Sequence, residues 1–223
     1  MIFSTRTGYP AVEMYMWSCI YDSAHDTEHI YRVLNYALDI VKYESDEINI
    51  ELLTIACLLH DIGRPEQFSN SNIDHASCGA DKAYKWLLNN GYKDDFAYAV
   101  KNCIKTHRFR SGGVPQTLEA KILFDADKLD ACGAVGIART LLHKSNTLEI
   151  LYSLNENGEI SDGSNDTQQS FLQEYKYKLE KVYDRFYTER GIELAAKRKS
   201  RAETFYHNIL SEVRECYSNV NSY

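Results

Sequence analysis

Five successive stretches of this sequence place apolar residues three and four positions apart, the spacing that buries one face of a helix, and each carries a histidine or an acid near one end. Ile30, Val33, Leu34, Ala37 and Val41 alternate with Arg32, Asn35, Asp39 and Lys42, which predicts a helix over 27–43 with His29 in its first turn. A second, over 48–61, leads through Leu53, Ala56 and Cys57 to His60, and Gly63 and Pro65 are expected to end it. Asp74 is a cap for a third, carrying Ala76, Ala80, Ala83 and Leu87, with His75 at its start and Asn89, Asn90 and Gly91 as its stop. The fourth, over 94–107, turns Phe96, Ala99, Val100, Cys103 and Ile104 inward and extends that face to His107. Thr117 caps a fifth, in which Ala120, Leu123 and Asp127 share the core side.

The remainder of the chain follows the same pattern. Phe171, Tyr175, Leu179, Val182 and Phe186 predict one covering helix, and Ala202, Phe205, Ile209 and Val213 another. The stretch 153–168, rich in Asn, Asp, Ser, Gly and Glu, reads as a mobile polar loop. No alternating strand pattern, internal repeat or long heptad run is present, so the expected fold is all-α, a helical bundle in a single domain, with the motif-bearing core over about 20–145 and covering helices over about 169–217.

Composition narrows the function classes. A formal charge of −7 over 223 residues repels a nucleic-acid polymer or an anionic membrane across most of the surface. A small phosphorylated substrate is still compatible, because one bound cation reverses the local potential. The cysteines at 19, 57, 78, 103, 132 and 216 have no short paired spacing, so neither a disulfide framework nor a thiolate zinc site is expected. Reduced thiols and the lack of an export signal or membrane span point to a cytoplasmic location.

His29, His60 with Asp61, His107 and Asp127 thus come from separate helices and face one interior. Imidazole nitrogen with carboxylate oxygen suits manganese, iron, cobalt, nickel or zinc, with magnesium a further candidate and manganese the favoured ion. Such an ion acidifies water for attack on phosphorus and neutralises growing charge.

His29 within EHIYRV, the doublet within LLHDIG and Asp127 within LFDADKLDA resemble, in order and surroundings, the motifs of the HD superfamily of metal-dependent phosphohydrolases, over roughly residues 20–145. The resemblance implies that His29, His60, Asp61 and Asp127 hold the metal on a helical core. AHDTEHIYRV, THRFR and LEAKILFDADKLDA look like the small stand-alone members, some of which are nucleoside triphosphate pyrophosphohydrolases. The alarmone hydrolases place a Glu-Asp pair after the doublet, where this chain has Arg64 and Pro65. The Gly-Tyr-Pro of cyclic-dinucleotide phosphodiesterases occurs here only at Gly8-Tyr9-Pro10, far upstream of its usual context.

The expected activity is therefore hydrolysis of a phosphate ester or anhydride, most simply of a nucleotide. Asp61 and Asp127 are the candidate proton acceptors, and Arg64, His75, His107, Arg108, Arg110 and Lys128 are candidates for the phosphates. His75 and His107 are alternatively ligands of a second metal. His25 and Asp26 stand close enough to His29 in sequence to orient it, although a helix-entry turn would use them equally well. Two other classes stay open: a non-catalytic nucleotide-binding module, and a di-iron oxygenase of the kind a few relatives with extra histidines represent. Pairing into a homodimer is an open expectation.

Overall fold

The computed structural model describes residues 5–20, 27–108, 113–144 and 150–218, and the chain divides into two compact units, Met1–Asp127 and Lys128–Tyr223. Helices account for nearly all its regular structure, and among the described residues β pairing is limited to two isolated bridges, Ile150 with Ser170 and Leu154 with Ile160. No helix among them is long and apolar enough to cross a membrane.

The first unit is built around α3, Ile50–Leu59, whose residues from Leu52 to Leu59 are all buried. A helix apolar on every side must be enclosed by others, and α1 (Pro10–Cys19), α2 (Thr27–Val41), α5 (His75–Asn89) and α6 (Asp94–Lys105) pack against it. Asn49 starts α3 by accepting from the Leu52 amide, and Asp74 starts α5 by accepting from Ser77 at 2.9 Å. Thr117 likewise caps α7, Leu118–Leu129, through the Ala120 amide. The buried face of α6 passes through Ala97, with Val100, Cys103 and Ile104, in place of the predicted Ala99.

Pro65 does not simply end the second helix. It stands at the opening of α4, Arg64–Ser69, because proline's fixed φ and missing N–H suit a first helical turn. Gly63, just before it, is where two backbones meet: a Cβ there would lie 2.3 Å from His75 O and 2.6 Å from Gly79 N. That close approach brings the start of α5 against the end of α3.

The second unit centres on α8 (Gly133–Lys144) and α10 (Glu189–Ser218), which pack together around Ile137, Phe171, Leu172, Tyr206 and Leu210. The stretch predicted as one helix over 171–186 is broken into a turn of α9 (Phe171–Glu174), a π-helical turn over Tyr175–Leu179 and a 3-10 turn over Val182–Asp184. Tyr175 is thereby stacked on Tyr206 with ring centroids 4.3 Å apart. The inward face of α10 runs through Ala195, Ala202, Tyr206 and Leu210, one position on from the predicted Phe205 and Ile209.

The polar stretch 153–168 is tied down where mobility was expected. Ser153 and Ser161 both bond Asp166, Tyr206 Oη donates to Asp162 O at 2.7 Å, and Ile160 is buried in the unit's core. Side-chain hydroxyls and one apolar anchor do here what a periodic apolar face does in a helix.

Candidate metal centre

The ends of α2, α3, α5, α6 and α7 converge within the first unit, and each contributes side chains to one buried polar cluster. His29 Nε2 stands 3.3 Å from His60 Nε2, 3.6 Å from Asp61 Oδ2 and 3.4 Å from Asp127 Oδ1. His60 Nε2 is 3.7 Å and 3.8 Å from the same two carboxylate oxygens. Two donors bound at about 2.1 Å to a common ion lie about 3.0–3.4 Å apart in octahedral or tetrahedral geometry. The spacings of the first group therefore need only a few tenths of an ångström of closure.

A second group shares Asp61. Its other oxygen, Oδ1, lies 3.4 Å from His75 Nε2, 3.7 Å from His107 Nε2 and 2.9 Å from Arg64 Nε. The ligand atoms of His29, His60 and Asp127 all lie within 4.8 Å of one another, and so do those of Asp61, His75 and His107. His75 Nε2 and His107 Nε2 are buried with no hydrogen-bond partner, a costly state for a polar atom unless a ligand completes it.

The electrostatics suit a cation. Burial lowers His60 to about 4 and His75 to about 3, in the latter case with help from Arg64, so both rings are neutral at pH 7 and need lose no proton before ligating. Burial alone would push the Asp61 carboxyl up, but Arg64, then His60 and His29, outweigh it and hold it well below the usual carboxylate value. Asp127 is lowered in the same way, burial being overcome by the hydrogen bond with His29 and the neighbouring imidazoles. Two ionised carboxylates and neutral imidazoles in a buried cluster are a donor set that a divalent cation fits. The Asp127 side chain is 22% exposed against 4% or less for His29, His60 and Asp61, so the cluster reaches solvent on the α7 side.

The other residues singled out in the sequence fall as follows. Arg64 pairs with Asp61, and Arg108 Nη1 is 2.9 Å from His75 Nδ1 and 3.4 Å from Asp74 Oδ1. Lys128 belongs to the second unit, where its Nζ donates to Arg185 O at 3.1 Å and lies over the Phe186 ring. His25, Asp26 and Arg110 lie outside the described residues. One residue of the cluster was missed: Gln67, whose Oε1 is 2.7 Å from His75 Nδ1. Its only sequence signal is its position three residues after Arg64, which places both on one face of α4.

Residues 27–132 match the HD domain family, a span that holds every residue of the cluster. The chain contains an HD domain. It is 28% identical to the Bacillus subtilis protein YpgQ over 180 residues, covering 79% of this chain and 78% of YpgQ. The crystal structure of YpgQ in complex with ADP superposes with a TM-score of 0.70 at 25% identity, over 92% of this chain and 97% of that one. A predicted HD superfamily hydrolase from an uncultured Thermotogales bacterium matches at 28% identity and a TM-score of 0.60, over 91% of each chain. Its structural neighbours are thus HD superfamily hydrolases, and the all-helical HD-domain fold anticipated from the sequence is the one found.

Proposed function

We propose that this HD-superfamily hydrolase cleaves a phosphoanhydride or phosphate ester of a nucleotide, with His29, His60, Asp61 and Asp127 as the ligands of one divalent cation, manganese by preference. The observation that carries the reading is the position of Asp61: Oδ2 faces His29 and His60, while Oδ1 faces Arg64, His75 and His107. One carboxylate thus joins a cation-binding half to a half lined by cations and imidazoles, as a reaction between water and a phosphate requires. YpgQ was crystallised with ADP, which supports a nucleotide as the substrate class here.

A divalent cation held by the four ligands supplies Lewis acidity, making water more acidic and offsetting charge on phosphate oxygens. Arg64 and Arg108 bring two permanent positive charges to the phosphate half, and each is anchored by an acid, Asp61 and Asp74 respectively. His107 Nδ1 is 2.6 Å from Ile104 O, and since a carbonyl only accepts, its proton sits on Nδ1 and a lone pair remains on Nε2. That lone pair is buried without a hydrogen-bond partner, 3.7 Å from Asp61 Oδ1, which makes His107 Nε2 the acceptor for a proton of attacking water. Burial of His29, His60, Asp61, His75 and His107 excludes bulk water from around them.

The test is a panel of nucleoside mono-, di- and triphosphates incubated with manganese, followed by chromatography and release of phosphate or pyrophosphate. Turnover of at least one nucleotide that a chelator abolishes is the expected result. Tight nucleotide binding with no product under any metal would replace the reading with that of a binding module.

A further inference from the structure

Each histidine of the cluster presents Nε2 to the interior, so the location of its single proton decides whether it can ligate a cation or donate to an oxygen. For two of them the backbone decides. His60 Nδ1 lies 2.7 Å from Cys57 O and His107 Nδ1 lies 2.6 Å from Ile104 O. A carbonyl cannot donate, so both rings carry their proton on Nδ1 and turn an Nε2 lone pair inward.

His75 has different neighbours. Its Nδ1 faces Gln67 Oε1 at 2.7 Å and Arg108 Nη1 at 2.9 Å. A guanidinium has donors only, so Nδ1 must accept from Arg108, and the ring proton then belongs on Nε2. Gln67 is compatible with this when its amide is turned to present the NH2 to the ring, where it shares the one Nδ1 lone pair with Arg108 in a three-centre hydrogen bond. Arg64, at 2.9 Å from Asp61 Oδ1, already places a cation in the same half of the cluster.

We propose that Gln67 and Arg108 together hold His75 as an Nε2–H donor for a phosphate oxygen of the substrate, so that the Asp61, His75 and His107 group receives substrate and not a second metal ion. Gln67 is a positioning residue in this arrangement, acting through His75. The identity of the oxygen rests on the phosphohydrolase reading above; the tautomer and the metal count do not.

Gln67→Glu reverses the setting, because a carboxylate accepts only. It competes for Arg108, places the proton on Nδ1 and turns a His75 lone pair inward, completing a three-ligand group. The experiment uses the full chain with 15N-labelled histidine, free of metal at pH 7.5, with His75 assigned through a His75→Asn variant. Two-bond proton–nitrogen correlation then reads which ring nitrogen is protonated. The expected result is protonated Nε2 in the wild type and protonated Nδ1 in Gln67→Glu. Manganese titration should give one ion per chain for the wild type and for Gln67→Ala, and a second ion for Gln67→Glu. KM for the nucleotide should rise about tenfold or more in Gln67→Glu, the loss of one hydrogen bond to a charged group, with a smaller change in kcat. A wild-type His75 protonated on Nδ1, or a second wild-type manganese that His75→Asn removes, would overturn the proposal. Absence of nucleotide turnover with His75 protonated on Nε2 would overturn the function, and leave the assignment of Gln67 standing.

Discussion

Replacing Gly63 by alanine tests whether backbone contact between the end of α3 and the start of α5 builds the cluster. Gly63 has φ −92° and ψ 1°, which alanine adopts without strain, so any effect comes from the new methyl group alone. That group would lie 2.3 Å from His75 O, 2.6 Å from Gly79 N and 3.0 Å from Gly79 Cα. Relief requires about 1 Å of movement by backbone, since no flexible side chain is involved, and overpacking of this kind costs about 1–3 kcal/mol or more. At roughly 2–4 °C per kcal/mol for a chain of this size, the midpoint of thermal unfolding should fall by about 5–10 °C. The same shift carries His75 away from Asp61 Oδ1, so the KM for a nucleotide should rise as well. Gly79→Ala is the internal control. Its Cβ would meet nothing closer than Gly63 N at 3.1 Å, and alanine inside α5 gains about 1 kcal/mol of helix propensity. Its net effect should lie near zero. Calorimetry of both variants decides the matter: a Gly63→Ala protein that melts with the wild type would refute the packing argument.

Two further outcomes follow from the site. Asp61→Asn removes the charge that joins both halves, so manganese affinity by calorimetric titration should drop by more than the roughly 10–100-fold typical of groups that merely orient a ligand. An unchanged affinity would exclude Asp61 as a ligand. The metal-free protein should lose stability in acid through His60 and His75, whose folded values of about 4 and about 3 lie below the ordinary 6.5. Their contribution is complete above pH 6.5 and is lost as pH falls toward those values, with a slope of up to about 1.4 kcal/mol per pH unit for each ring. Urea midpoints from pH 7.5 to 4.5 check this, and a flat profile would contradict neutral buried imidazoles.

Much of this architecture is legible from side-chain periodicity because the residues concerned act through their own helix. Asp74 caps α5 by reaching three residues ahead, and Asp127 faces inward because Leu123 does. What escaped depends on partners distant in sequence. Gly63 reads as a terminator, whereas its role is to admit the backbone of Gly79, sixteen residues on. Pro65 has two local meanings, helix end and helix start, and reading it as an end hid α4 and with it Gln67. The π turn at Tyr175 is set by stacking on Tyr206, a contact that no local apolar spacing encodes. The two acids of the first ligand group were visible as a motif, but that one oxygen of Asp61 faces each half of the cluster is a fact of packing alone.

The central claim, that the ends of these helices meet to bind a divalent cation, is tested most directly by diffraction from crystals of the manganese-loaded protein at the manganese absorption edge. The account predicts an anomalous peak within bonding distance of His29 Nε2, His60 Nε2, Asp61 Oδ2 and Asp127 Oδ1 together. A loaded crystal whose manganese lies elsewhere, with those four side chains bound only to one another, would contradict it.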